Sequence, residues 1–209
     1  MPWLTSSRDR VRLVAPVTAL ILLAGCTGGP PTAPESSTPP PIESTPSPTP
    51  TPTPTVPPSV DVTVKPERPA ALDEPPSVDG AVAVAEYFAL LYPYVYATGE
   101  LAEWRALSDP DCNFCASVDS NVVAMFANGR RSAGGSISVV EATGEEINPG
   151  ASYTAQLATV QQPSSTVNAD GTVFESFPDT TRTRWSMVVH WRNEAWTIRG
   201  VDATDEPAS

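Results

Sequence analysis

The chain reads as an α+β domain: helices first, then a curved antiparallel sheet of about four strands, with an unfolded linker ahead of both. Three observations lead there. Apolar residues recur every three to four positions from residue 77 to residue 128, and every second position after Gly129. Upstream, 17 of the 25 prolines fall between Thr27 and Pro76. Helices followed by strands, rather than alternating with them, favour segregated layers over a parallel sheet.

Val84, Phe88, Leu91 and Val95 form the stripe of the first helix, with Ala81, Ala85 and Tyr92 on the same face. Asp79 is the expected N-cap, and Gly99 the left-handed stop after Thr98. Pro93 conflicts with this helix, because proline lacks an N–H and clashes one turn back. A kink or break is therefore expected near Leu90 to Tyr92. A second, short helix spans Leu101 to Leu107 before Asp109-Pro110. A third runs from Phe114 to Asn128, with Val118, Val122, Met125 and Phe126 inward and Gly129 ending it.

Strands begin at Ser132. Ile137 and Val139 alternate with Ser136 and Ser138, and Tyr153, Ala155 and Leu157 alternate with Thr154 and Gln156. Thr183, Trp185, Met187, Val189 and Trp191 share one face, opposite Arg184, Ser186, Val188, His190 and Arg192. Trp196 and Ile198 mark the last strand. Asp170-Gly171 and Arg192-Asn193-Glu194 supply hairpin turns, and Gly134-Gly135 a turn into the first strand.

The first 25 residues have the composition of an export signal. Arg8, Arg10 and Arg12 precede an uncharged run from Leu13 to Ala24, too short for a permanent span of about 20 residues. Leu23-Ala24-Gly25-Cys26 resembles the lipobox of bacterial lipoproteins. That resemblance implies diacylglycerol on Cys26, cleavage before it, and a domain held to the outer face of the cell membrane. Without the leader the net charge moves from −12 to −14. Such a chain offers no electrostatic footprint to nucleic acid and is repelled by anionic headgroups. Anchoring therefore falls to the lipid. Between residues 26 and 76 the Pro, Thr, Ser and Glu content cannot bury enough apolar surface to offset ordering entropy, so a polyproline-biased spacer is expected. The resulting divisions are 1–25 signal, 26–76 lipidated cysteine and linker, 77–204 domain and 205–209 tail.

With Cys26 lipidated, Cys112 and Cys115 remain, and an even count in an oxidising compartment favours a disulfide between them. Redox exchange is the alternative, but no strand precedes the pair as a redox motif requires. A zinc site would need two further ligands, and His190 is the only histidine. No cofactor or metal is expected. His190 lacks an acidic neighbour at strand spacing, so no triad is built on it. Tyr92, Tyr96, Trp104, Trp185 and Trp196 are candidates to line a pocket between helices and sheet, with Asp111 or Glu86 as its acid. Placement as ordinary core is the competing account of these aromatics.

The element order resembles the nuclear-transport-factor-2-like (cystatin-like) cone. Tyr87-Phe88, Tyr96-Ala97-Thr98-Gly99, Trp104-Arg105-Ala106-Leu107-Ser108, Asp111-Cys112-Asn113-Phe114-Cys115 and Ala133-Gly134-Gly135 look like the pattern of a family of uncharacterised actinobacterial lipoproteins. The match covers most of Gly80 to Val201 and implies the cone-like fold and a cell-surface location. It carries no activity and no catalytic residues. The expected role is a non-catalytic binding or envelope-interaction domain, its partner an envelope protein, the cell wall or a small ligand. A small-molecule isomerase or hydrolase using the pocket is the alternative.

Overall fold

In the computed structural model, residues 60–206 are described. Cys26, the expected export signal and the expected linker as far as residue 59 lie outside them. Three helices precede seven strands: α1 (Val78–Thr98), α2 (Ala102–Leu107), α3 (Asn113–Ala127), β1 (Arg130–Gly134), β2 (Ile137–Asn148), β3 (Ser152–Gln161), β4 (Ser164–Asn168), β5 (Val173–Phe177), β6 (Thr181–Arg192) and β7 (Ala195–Asp205). The α+β order is as the periodicity predicts. The strand count is not, because the strands divide into a four-stranded sheet, β2-β3-β6-β7, and a smaller one, β1-β4-β5.

Both sheets grow from one bent ribbon. β2 pairs with β3 as far as Ile137 opposite Gln161, and β1 pairs with β4 from Gly134 opposite Ser164. Between these pairs the two chains turn together from one sheet into the other, at Gly134-Gly135 and Gln162-Pro163. Gly134 and Gly135 have φ of +75° and +77°, and a Cβ on Gly134 would stand 2.7 Å from the Pro163 carbonyl oxygen. Only glycine fits there without strain. The Gly135 N–H donates to that same oxygen at 2.9 Å, and the Gln162 N–H donates to the Ser136 carbonyl at 2.9 Å. Bulges in the β2–β3 and β6–β7 pairings bend the large sheet further.

Helix α1 lies in the concavity of this sheet. Ala81, Val84, Ala85, Phe88, Leu91 and Val95 are fully buried on it. Its N-cap is Ser77, whose hydroxyl accepts from the Gly80 N–H at 3.0 Å. Asp79 sits inside the first turn instead, where its charge faces the positive end of the helix. Gly99 closes the helix with φ +76° as expected. No break occurs at Pro93: the helix is continuous across it, and Pro93 is buried. Burial of Leu91, Val95 and Ala97 around it outweighs the backbone hydrogen bond that proline removes.

Trp104 ties the helices together. Its ring stacks on Phe88 with centroids 4.0 Å apart, and its Nε1–H donates to the Cys115 carbonyl at 3.1 Å. One side chain from α2 thus fixes both α1 and α3.

Contacts with the domain begin upstream of Pro76. Residues 60–76 follow the domain surface: Val62 is buried, and a 3-10 turn at Ala70–Asp73 offers the Ala71 carbonyl to Trp196 Nε1–H at 2.9 Å. Lys65 pairs with Glu103, and Arg68 pairs with Asp73. Prolines lower the entropy lost when such a segment is laid down, so a few apolar and ionic anchors suffice. At the other end β7 reaches Asp205, and Arg184 pairs with Glu206 at 2.7 Å, so the tail begins later than residue 205.

Burial alone would raise the Glu103 pKa, but the hydrogen bond from Lys65 and the charges of Lys65 and Arg68 hold it below its ordinary value. A carboxylate with a lower pKa in the folded state stabilises at neutral pH and loses that contribution as pH falls through its folded value. The melting temperature of Glu103→Gln is therefore expected to fall less than wild type between pH 6 and pH 3. An equal fall would remove Glu103 as an anchor of the strap. A second expectation concerns the β6–β7 turn, where Asn193 and Glu194 have φ of +52° and +61°. A left-handed glutamate is strained, so Glu194→Gly should stabilise by about 0.5–1 kcal/mol in urea unfolding.

Candidate functional site

β1 packs on α1 and α3, and a cleft of about 610 Å³, within the range of small-molecule sites, opens between these helices and the small sheet. Its walls follow from strand alternation. Arg130, Ser132 and Gly134 of β1, Ser164 and Thr166 of β4, and Glu175 and Phe177 of β5 all line it. The register joins them in rows, Gly134–Ser164–Phe177 and Ser132–Thr166–Glu175. A bulge in the β4–β5 pairing turns Phe174 to the cleft as well. Opposite stand Tyr92, Pro93 and Tyr96 of α1 and Asn121, Ala124, Met125 and Asn128 on and just past α3. Gln161, Gln162 and Thr181 complete the end nearest the ribbon's bend.

Aromatic faces and neutral hydrogen-bonding groups dominate this lining. Phe174 and Phe177 are 52% and 48% exposed, so about half of each ring is free to meet a ligand. Tyr92 and Tyr96 lie with ring centroids 5.0 Å apart. Burial, and then the neighbouring Tyr96, push the Tyr92 hydroxyl well above its ordinary pKa, so it stays a neutral donor. Four side-chain amides, Asn121, Asn128, Gln161 and Gln162, supply paired donors and acceptors. Of the charged groups, Glu175 and Asp179 are exposed at the rim. Arg130 lies partly buried, its guanidinium carbon 3.4 Å from the centre of the Phe174 ring.

The five aromatics expected to line a pocket divide. Tyr92 and Tyr96 do so; Trp104, Trp185 and Trp196 belong to the core. Trp185 packs edge-on against Tyr92 and Phe114 at 5.7 and 5.5 Å, and Trp196 packs against Trp191 and Tyr153. Neither proposed acid reaches the cleft. Asp111 is exposed and pairs with Arg199 at 3.1 Å, and Glu86 does not line the cleft. Among the described residues, the carboxylates with displaced pKa values are Asp61, Asp73, Glu103, Asp119 and Asp170, and all are displaced downward. None of them lines the cleft.

His190 sits on β6 opposite Ser152 and Thr197, away from the cleft. Burial, and next the charge of Arg192, lower its pKa, and its buried Nδ1 has no hydrogen-bond partner among the described residues. Cys112 and Cys115 form a disulfide, and each is 1% exposed. It closes the entry to α3, where the cap Cys112 Sγ accepts from the Cys115 N–H at 3.2 Å. Sulfurs this little exposed disfavour attack by a thiolate, which argues against thiol exchange.

The sequence pattern missed Arg130, Phe174 and Phe177. Their only signal was strand alternation on β1 and β5, and without the bend it does not say what those strands face.

A model of a family described as a family of unknown function (DUF6318) matches residues 52–202. No curated protein matches the chain. Among solved structures it is similar to an uncharacterised protein with a cystatin-like fold from Caulobacter vibrioides. The two are 13% identical, with a TM-score of 0.41 over 61% of this chain and 90% of that one. It is also similar to the intermembrane space region of the chloroplast protein ARC6, 10% identical, with a TM-score of 0.44 over 63% and 100%. A third is a structure described as a Ca/calmodulin-dependent kinase II association domain from Exiguobacterium sibiricum, 14% identical, with a TM-score of 0.41 over 64% and 98%.

A short disulfide loop contributes about 2 kcal/mol in the chain-entropy model. Cys112→Ser with Cys115→Ser is expected to lower stability by about that amount in denaturant unfolding. In the wild-type domain the pair should resist reduction by glutathione until the protein unfolds. Rapid native-state reduction, read by thiol labelling, would return the pair to redox chemistry.

Proposed function

Because the chain belongs to the DUF6318 family of unknown function, which carries no activity over to it, we propose that its domain is a non-catalytic binding module of the cell envelope. The ligand occupies the cleft between α1, α3 and the small sheet. One observation carries this reading: half-exposed aromatic rings stand across from neutral amides and hydroxyls in an open cleft of about 610 Å³. Flat apolar faces beside paired donors and acceptors suit a ring-bearing, hydroxyl-rich ligand such as an envelope saccharide. A general base needs hydrogen-bond reach and a tuned pKa. The two carboxylates at the cleft are exposed at its rim.

The sequence upstream supports the location. Diacylglycerol on Cys26 would anchor the chain to the outer face of the cell membrane. The Pro- and Thr-rich segment that follows would carry the domain outward, at about 3.1 Å per residue where extended. An acidic domain is repelled by anionic headgroups.

Cosedimentation with purified cell-wall sacculi tests the reading. Wild-type domain should bind, and Tyr96→Ala with Phe177→Ala should weaken binding at least about tenfold while the melting temperature stays within a few degrees. Undiminished binding by the double variant would place the contact outside the cleft. Turnover of a saccharide by the wild-type domain would replace the binding reading with an enzymatic one.

A further inference from the structure

Resting on the reading of the cleft as a saccharide site, we propose that Arg130 makes it selective for a saccharide bearing a carboxylate. Among the described residues, Arg130 is the only cationic side chain lining the cleft. Acidic residues outnumber basic ones two to one in this chain, yet Arg130 has no carboxylate within ion-pair distance among the described residues. Arg131, Arg182 and Arg192 also lack an ion pair among the described residues, but all three are exposed to solvent, whereas Arg130 is partly buried.

The guanidinium is also held in place. It lies over the face of Phe174, 3.4 Å from the ring centre, where the ring's quadrupole attracts the cation. Its stem rises from β1 beside Ser132, in a row of the small sheet that faces the cleft. Nε is buried and has no hydrogen-bond partner among the described residues. A buried donor without an acceptor is costly, and far more so when it carries charge. Phe174 cannot relieve that cost, because a ring face offers Nε no oxygen.

A planar anion with two oxygens supplies the partner that the unpaired guanidinium lacks. Carboxylate and guanidinium match as two parallel N–H···O bonds, in a geometry an ammonium cannot reproduce. Stacking on Phe174 fixes the plane in which the fork is presented, so little side-chain entropy is lost on binding. The sugar ring would then lie against Phe177 and the tyrosines, with the amides on its hydroxyl and acetamido groups. Glu175 and Asp179 at the exposed rim repel an anion weakly, because solvent and salt screen them.

N-acetylmuramic acid and N-acetylglucosamine share a ring and differ by an ether-linked carboxylate, which makes them the probes. The ¹⁵N-labelled exported chain carrying Cys26→Ser is titrated with each, following the Arg130 Nε–Hε signal and the side-chain amides of Asn128 and Gln161. The acidic sugar should shift the Arg130 signal and bind about tenfold tighter or more. Arg130→Gln should bring the ratio of the two affinities to about one. Arg130→Lys should restore only part of the difference. Equal affinities with an unmoved Arg130 signal would overturn the selectivity and leave the cleft as a neutral saccharide site. If neither sugar perturbs the cleft, the selectivity and the saccharide reading fall together.

Discussion

The bend at Gly134-Gly135 and Gln162-Pro163 is the constraint on which the small sheet and the cleft beside it depend. A straight ribbon would continue β1 and β4 as extensions of β2 and β3 and would leave nothing for α1 and α3 to face across a gap. Two successive glycines at positive φ, with the Gly135 N–H bonded to the Pro163 carbonyl, turn both chains at one point. The β1-β4-β5 sheet then forms a separate wall. Its facing residues become the floor of a cleft rather than the outer surface of a sheet. Arg130, Ser132 and Thr166 owe their position to this geometry more than to any local preference.

Stability and function are assigned to different parts of the molecule. Trp104, Phe88, Cys115 and Ile198 are buried together, the helices being joined by a stacked ring pair and one buried hydrogen bond. β5 is exposed along its whole length and forms the edge of the small sheet. Few buried contacts hold it, so it opens more readily than the large sheet. An edge that gives way beside the aromatic rings suits entry and exit of a ligand. Glu175 within that edge also discourages unwanted strand pairing.

Much of the fold was legible in the residues, and the reasons are local. Helix stripes, the Gly99 stop and the Asp170-Gly171 and Asn193-Glu194 turns depend on neighbours within a few positions. Pro93 misled because its cost is local while the burial that outweighs it comes from the sheet. Composition set the linker boundary at Pro76, but Val62 and the pairing of Lys65 with Glu103 depend on a surface 38 residues away. The cleft was harder still. The tryptophans drew attention by size and proved to be core, whereas Arg130 and Phe177 acquire meaning only from strand register across a bend. A glycine pair in a sequence announces a turn; what the turn brings together is a property of the whole chain.

The central claim is that this bend builds the cleft wall without supporting the core, and hydrogen exchange on Gly134→Ala tests it most directly. At φ +75° and 2.7 Å from the Pro163 oxygen, the added methyl should cost about 1–2 kcal/mol where the ribbon turns. The account predicts that amides of β4 and β5 lose protection while those of β3 and β6 keep theirs. Uniform loss of protection across both sheets, or no loss in β4 and β5, would contradict it.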